Sequence, residues 1–380
     1  MDKKRNIWNY IKKSRGVLLV ILIVGLNSLF KSFPDLAFAV YTKGFFQIIR
    51  VVWDHTLGLL PFPPVYLVFF LLVYIIYKWL GSITEAWKAK SKEKGWSVLF
   101  RMFNFLCYVY ALFYLLWGYN YTVPRITKLI DLGEKKRNYD EFLAELDLYM
   151  DFMEDYRLSI LPDTLIETSG IPEVENLEGK IRAVQEEILA SWGYPTIGRV
   201  RVRKLKPDGF ILRLSAAGVY IPYVAEGHID PGLHHIQWPF TMAHEMGHGY
   251  GIANEGECNF LAFVTCINVD DPYVQYSGYI AYFRYLLSNL RRADKELYNE
   301  LRSNLHPLLK KDFNLILTQL YKYPDLMPEL RDVVYDQYLQ THGIKEGLRS
   351  YSTILTLVDR WRRKGDKWTE ALKPDYDSLR

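Results

Sequence analysis

Long unbroken apolar runs occupy the first third of the chain, and amphipathic patterns occupy the rest. Three runs stand out: Gly16–Phe30, Val65–Leu80 and Met102–Tyr121. None carries a polar face, so lipid accounts for them better than a water-soluble core does. They predict membrane helices at about residues 16–32, 62–80 and 99–118. The shorter cores are completed by aromatic and basic flanks at the membrane interface. No small-residue cleavage site follows the first run, which therefore reads as an anchor rather than a removed leader. Residues 36–60 are semi-apolar with interspersed charges. That pattern predicts an amphipathic segment lying along the outer membrane surface.

Beyond residue 121 the pattern changes. Residues 138–158 and 174–192 repeat apolar positions at helical spacing. Residues 197–224 alternate and are β-branched, which predicts two or three short strands. From Trp238 onward the spacing is helical again. The expected architecture is α+β and mostly helical: a membrane domain over 1–121, then a domain over 122–380 with a small sheet ahead of its central helices.

Charge orients this picture. The N-terminus carries Lys3, Lys4, Arg5, Lys12, Lys13 and Arg15, and the loop after the second run carries Lys88, Lys90, Lys92, Lys94 and Arg101. The loop between the first two runs has only Lys31, Lys43 and Arg50. Basic loops stay in the cytoplasm, so three crossings place residues 122–380 outside it. Over all 380 residues the net charge is only +4, without a basic stripe, which argues against nucleic acid as a partner. Of three cysteines, Cys258 and Cys266 lie eight apart, roughly 12 Å along a helix and too far for a disulfide.

The chemistry concentrates in His244-Glu245-Met246-Gly247-His248. On a helix the two histidines stand one turn apart on one face and can share an ion. Glu245 is offset by about 100° and can serve as base to a water polarised by zinc. Pro239 suits the first turn of such a helix, and Gly247 suggests close packing against that turn. Gly249 and Gly251 should end the helix, and Asn254 should cap the next one.

A third ligand is expected from Glu255 or Glu257. Glu257 has Phe260, Leu261 and Val264 at i+3, i+4 and i+7, so it faces the apolar interior, where a carboxylate needs a partner. Glu255 falls on a more polar face. The expectation is therefore His244, His248 and Glu257 as zinc ligands and Glu245 as general base. His228, His234 and His235 are weaker alternative ligands. A donor for the developing oxyanion should come from later in the chain; Tyr351 is the candidate, with His342 next.

These residues carry a resemblance. Val40-Tyr41-Thr42-Lys43-Gly44, Leu60-Pro61-Phe62, Trp117-Gly118-Tyr119-Asn120-Tyr121, Gly218-Val219-Tyr220-Ile221-Pro222, the stretch from Pro239 to Glu245, Glu257-Cys258-Asn259-Phe260-Leu261-Ala262, Tyr276-Ser277-Gly278-Tyr279 and Ser350-Tyr351 together resemble the domain of unknown function 3810 family. Cys258 stands where that family usually has Ala. The resemblance implies a membrane-anchored, HExxH zinc-metallopeptidase-like protein of Bacteroidota, with a zincin-like (gluzincin-type) domain. It also supports Glu257, through a Glu-x-Asn-Phe pattern similar to the third-ligand segment of other HExxH peptidases. The implied setting is the bacterial cytoplasmic membrane, with a periplasmic domain acting on peptide or protein substrates of the envelope and with lipid around the anchor. A non-catalytic envelope module with structural zinc, and a peptidoglycan amide hydrolase, are the alternatives.

Overall fold

The computed structural model describes residues 15–135, 137–160, 174–326, 337, 341 and 353–374. The chain divides into two units. One comprises residues up to Val123 with Ile197–Arg199 and Ile221–Ala225; the other comprises Pro124–Thr196, Val200–Tyr220 and Glu226 onward.

The first unit is built on helices α1 (Arg15–Ser32), α2 (Phe46–Asp54), α3 (Val65–Lys88) and α4 (Lys92–Leu116). Helix α1 packs on α4, and the Gly16 N–H donates to Asn104 Oδ1 at 3.0 Å. A Cβ at Gly16 would lie 2.4 Å from that oxygen, so only glycine permits the approach. Helix α2 ends a longer helical stretch, Pro34–Leu59, whose middle (Phe38–Phe45) is π-helical.

Among the described residues, four stretches are long and apolar enough to cross a membrane: α1, Pro34–Leu59, α3 and α4. The sequence pattern singles out three of these and sets the second apart as amphipathic. Its interior distinguishes it: 44% of its most apolar window is buried, against none for α3. Arg50, only 1% exposed, pairs with Asp54 at 3.2 Å. Asp54 also accepts from the Arg199 N–H at 2.6 Å, and the Trp53 indole donates to the Tyr223 carbonyl at 3.1 Å.

The second unit is mostly helical. Helices α5 (Tyr139–Ile160) and α6 (Leu177–Ser191) precede strands β1 (Arg201–Lys204), β2 (Gly218–Ile221) and β3 (Glu226–Ile229). The sheet order is β1-β3-β2, with β1 and β3 parallel and Arg201 opposite Glu226. Helices α7 (Trp238–Gly249), α8 (Glu255–Asn268) and α9 (Pro272–Ala293) form the centre; α10 (Lys295–Asn304), α11 (Pro307–Tyr321) and α12 (Ile354–Lys364) follow. The core is aromatic, with Phe260, Phe263, Tyr276, Tyr282 and Phe283 fully buried. Its hydroxyls are satisfied: Tyr276 donates to Asp312 at 2.6 Å and Tyr282 to Glu145 at 2.9 Å.

The strand expectation needs correcting in one place. The apolar run at Phe210–Leu214 is not a strand; Leu212–Leu214 is a 3₁₀ turn. The buried Asp230 carboxylate gathers the N–H groups of Gly209, Ile211 and Leu212 at 2.7–3.0 Å, which curls this segment. The third strand is instead Glu226-Gly227-His228-Ile229, all buried.

Candidate metal centre

Helix α7 starts with Pro239 in its first turn and is buried from Pro239 to Gly249. A Cβ on Gly247 would sit 3.3 Å from Cys258 Sγ, so the glycine admits α8 at close range. The chain then turns through Gly251 at φ +98°, and the Asn254 side chain caps α8 by accepting from the Glu257 N–H at 3.1 Å. This turn lays the start of α8 against the histidine face of α7.

His244 Nε2 and His248 Nε2 lie 3.2 Å apart. Glu255 Oε2 is 3.1 Å from the first and 3.4 Å from the second. These three residues form the one group of metal-ligating side chains found among the described residues. Both imidazoles are held at their other nitrogen: His244 Nδ1 meets Asn259 Oδ1 at 2.8 Å, and His248 Nδ1 meets the Ile252 carbonyl at 2.8 Å. Each acceptor requires Nδ1–H, which leaves the Nε2 lone pairs facing each other and the carboxylate. Three electron-rich atoms converging in a buried place require a shared cation or a captured proton. Burial alone would push Glu255 up, but His248 and His244 hold it well below the usual carboxylate range. Burial would likewise lower His248, but Cys258 and Glu255 raise it well above the ordinary value.

The donor set fits zinc. Bonds of about 2.0–2.1 Å to a tetrahedral ion put neighbouring ligand atoms roughly 3.3 Å apart. The three observed separations bracket that edge. Three ligands leave one vertex for water or substrate.

Glu257 is not at this cluster. The structure groups Glu255 with the two histidines, where the sequence pattern points to Glu257. The inference rested on α8 having one buried and one polar face, yet α8 is buried from Glu255 through Ile267. With no polar face, an inward-facing position does not single out the metal. Glu257 points instead at the start of the Ile126–Leu129 turn, where it accepts from the Thr127 N–H at 3.2 Å. Burial raises its pKa, against the lowering effect of that N–H and of Arg125. Asn259 was also missed as a partner of His244. The signal for both lies in the sequence: Glu255 and Asn259 are four apart and share one helix face.

Glu245 lies beside the edge strand. A Cβ at Gly218 of β2 would come within 2.6 Å of Glu245 Oε1, so glycine makes room for the carboxylate. Glu245 Oε2 is buried without a hydrogen-bond partner among the described residues. Burial pushes this carboxyl up to about 7, opposed by His244 and His248. Tyr351 and His342 lie outside the described residues.

The remaining upstream candidates sit elsewhere. A Cβ at Gly227 would lie 3.0 Å from Glu245 Cβ, so that face of β3 meets α7 and Glu226 and His228 project from the opposite one. His234 caps the Ile236 N–H and stacks on His235 at a centroid distance of 4.3 Å. Glu226 pairs with Arg203 at 2.9 Å. Burial nevertheless raises it to about 7, despite Arg203. A carboxyl raised in the folded state contributes stability below its unfolded pKa near 4.5, and loses it as pH climbs through 7. The loss amounts to about 3 kcal/mol. Glu226→Gln should therefore gain about that much on the wild type between pH 4 and pH 8, read as a pH-dependent gap in melting temperature of the solubilised chain. A gap independent of pH would count against this account.

An HExxH helix beside a short sheet, with a carboxylate from the following helix closing on both histidines, defines a candidate three-ligand metal centre. The chain itself belongs to the family described as protein of unknown function (DUF3810), whose model matches residues 41–358. No curated protein and no solved structure matches it.

Proposed function

We propose that the chain is a membrane-anchored, zinc-dependent hydrolase, with peptide bonds as its substrate class. The observation that carries this reading is the trio of ligand-atom separations (3.1, 3.2 and 3.4 Å), which match the edges of a tetrahedron with a vertex to spare. His244, His248 and Glu255 would hold the ion. Bound zinc supplies Lewis acidity, acidifying water and polarising a carbonyl. Glu245 would serve as the general base, accepting a proton from water and returning it to the departing amine. Strand β2 is an edge strand, with Gly218 against Glu245, so an extended peptide could pair with it and bring its carbonyl to the base. That favours a peptide over a compact substrate.

The anchor is read as three crossings, with Pro34–Leu59 lying at the surface. Its Arg50–Asp54 pair and Trp53 bond to Ala225, Arg199 and Tyr223, all in chain that follows the last span. A fourth crossing would also put the lysine-rich turn between α3 and α4 outside, against the charge rule. Three crossings keep that turn and the N-terminus in the cytoplasm and place the metal centre on the outer side.

The test is direct. Purified full-length protein should carry about one zinc per chain and cleave unstructured polypeptides, with both lost after chelation and restored by zinc. A protein that binds no divalent metal would remove the reading.

A further inference from the structure

Helix α2 has two unlike faces. Phe46, Ile49 and Arg50 are buried, whereas Ile48, Val51 and Val52 on the other side are apolar and exposed. The helical stretch that α2 ends follows directly on α1, and the chain beyond it leads into α3, so crossings flank it at both ends. A helix tied to one membrane surface in this way has lipid as the cover for its bare apolar side.

The buried side holds two loops of the chain that follows the last span. In the first, Asp54 accepts from the Arg199 N–H, and a Cβ at Gly198 would lie 2.3 Å from Asp54 Oδ2. In the second, Arg50 Nη1 donates to the Ala225 carbonyl at 3.2 Å, and the Trp53 indole donates to that of Tyr223. The Tyr223 hydroxyl in turn donates to the Val109 carbonyl of α4 at 3.2 Å. Helix α4 runs on to Leu116, so Val109 lies about 10 Å inside its outer end. The second loop therefore reaches the level of the membrane interface, where the apolar ring and polar tip of a tyrosine both find their surroundings.

These loops feed the sheet. The first leads into β1 and the second joins β2 to β3. Arg201 of β1 stands opposite Glu226 of β3, so the two loops enter the sheet at the same end. Strand β2 carries Gly218, which makes room for Glu245. From Gly218 to Ile221, where the second loop begins, the strand covers about 10 Å. The width of α2, about 10 Å, lies between that loop and the lipid on the far side of the helix. The path from the base to the bilayer is then at most about 20 Å, which about six extended residues span.

We propose that the metal centre acts on polypeptides anchored in the same membrane, and that it cuts them within about ten residues of the outer bilayer surface. Helix α2 holds one end of the sheet at that surface, so strand β2 receives the segment of another chain that has just left the lipid. The inference rests on the hydrolase reading and the three-crossing anchor above, and its test separates it from the hydrolase reading.

Zinc-loaded full-length protein would be placed in vesicles with a single-span protein whose outer stalk is two tandem copies of one unstructured segment of about 30 residues. The segment is one that the protein cuts throughout its length when free in solution. Cut positions in the stalk are mapped by mass spectrometry. Both copies share one sequence, so only distance from the bilayer distinguishes them. A flexible tether alone favours the nearer copy by about fivefold, because effective concentration falls as roughly the −3/2 power of length. The expected result is cuts clustered in the first ten or so residues, with the nearer copy favoured by more than about twentyfold. A lower ratio, cuts spread along the stalk, or a stalk spared while the free segment is cut would overturn the inference and leave the hydrolase reading standing. A zinc-loaded protein that cuts no free polypeptide would overturn both.

Discussion

Glu255→Gln should leave the purified protein nearly free of zinc, while Glu257→Gln should keep close to one zinc per chain. The two residues are two apart on one helix, and both are buried. Their surroundings differ. Glu255 closes a triangle with His244 Nε2 and His248 Nε2 and is held ionised by them. Replacing it with a neutral amide removes the one charged group of the three and with it the direct offset to a divalent ion. Changes one shell further out already cost 10- to 100-fold in affinity, so losing this ligand should cost at least about 100-fold. Glu257 bonds the Thr127 N–H, and a glutamine oxygen can accept that bond equally well. Its replacement should cost little metal, with any effect falling on the docking of residues 124–130. Metal analysis of the two variants after dialysis decides the matter. Zinc lost from Glu257→Gln and kept by Glu255→Gln would reverse the assignment.

That contrast also marks where the sequence stops being legible. The histidine pair is legible because a spacing of four has one meaning on a helix. The Gly251 turn and the Asn254 cap are legible because each depends on local backbone chemistry. The third ligand is not, because polarity identifies the inward face only for a helix with one face in water. Helix α8 has neighbours all round, so Glu255 and Glu257 are both buried and only tertiary packing gives each its partner. The sheet shows the same limit. Strand β3 reads Glu-Gly-His-Ile, with no alternation to announce it, while the apolar run near Leu212 is curled by Asp230, a residue distant in sequence. In the first unit, Pro34–Leu59 is long and apolar enough to cross a membrane, although its sequence pattern reads as amphipathic. Its buried Arg50–Asp54 pair is what sets it apart.

Glu245→Gln should lower turnover by about 10³-fold while leaving zinc in place, within the range that general acid–base catalysis contributes. Glu245 follows His244 directly, so the helix turns its side chain away from the ligand face and towards β2. There Oε1 fits because residue 218 lacks a Cβ, and Oε2 is buried without a partner among the described residues. A buried acceptor without a donor is costly unless a water or substrate group supplies one, which is what a base in waiting requires. Glutamine has the same shape and passes the same glycine, so the fold and the three ligands should survive; what disappears is the capacity to accept a proton. Gly218→Ala should reach the same outcome by another route. A new Cβ 2.6 Å from Oε1 and 2.8 Å from the His228 carbonyl must displace the carboxylate and press β2 off β3, so turnover falls with metal retained, and adding Glu245→Gln should cost little more. The pH profile should carry the same mark. Burial raises this carboxyl, and the base acts only when ionised, so the wild-type rate should fall as pH drops through its pKa. A bound cation should move that limb below the value near 7 that burial, opposed by His244 and His248, sets without one. Full turnover by a zinc-loaded Glu245→Gln chain would assign the proton transfer to another group.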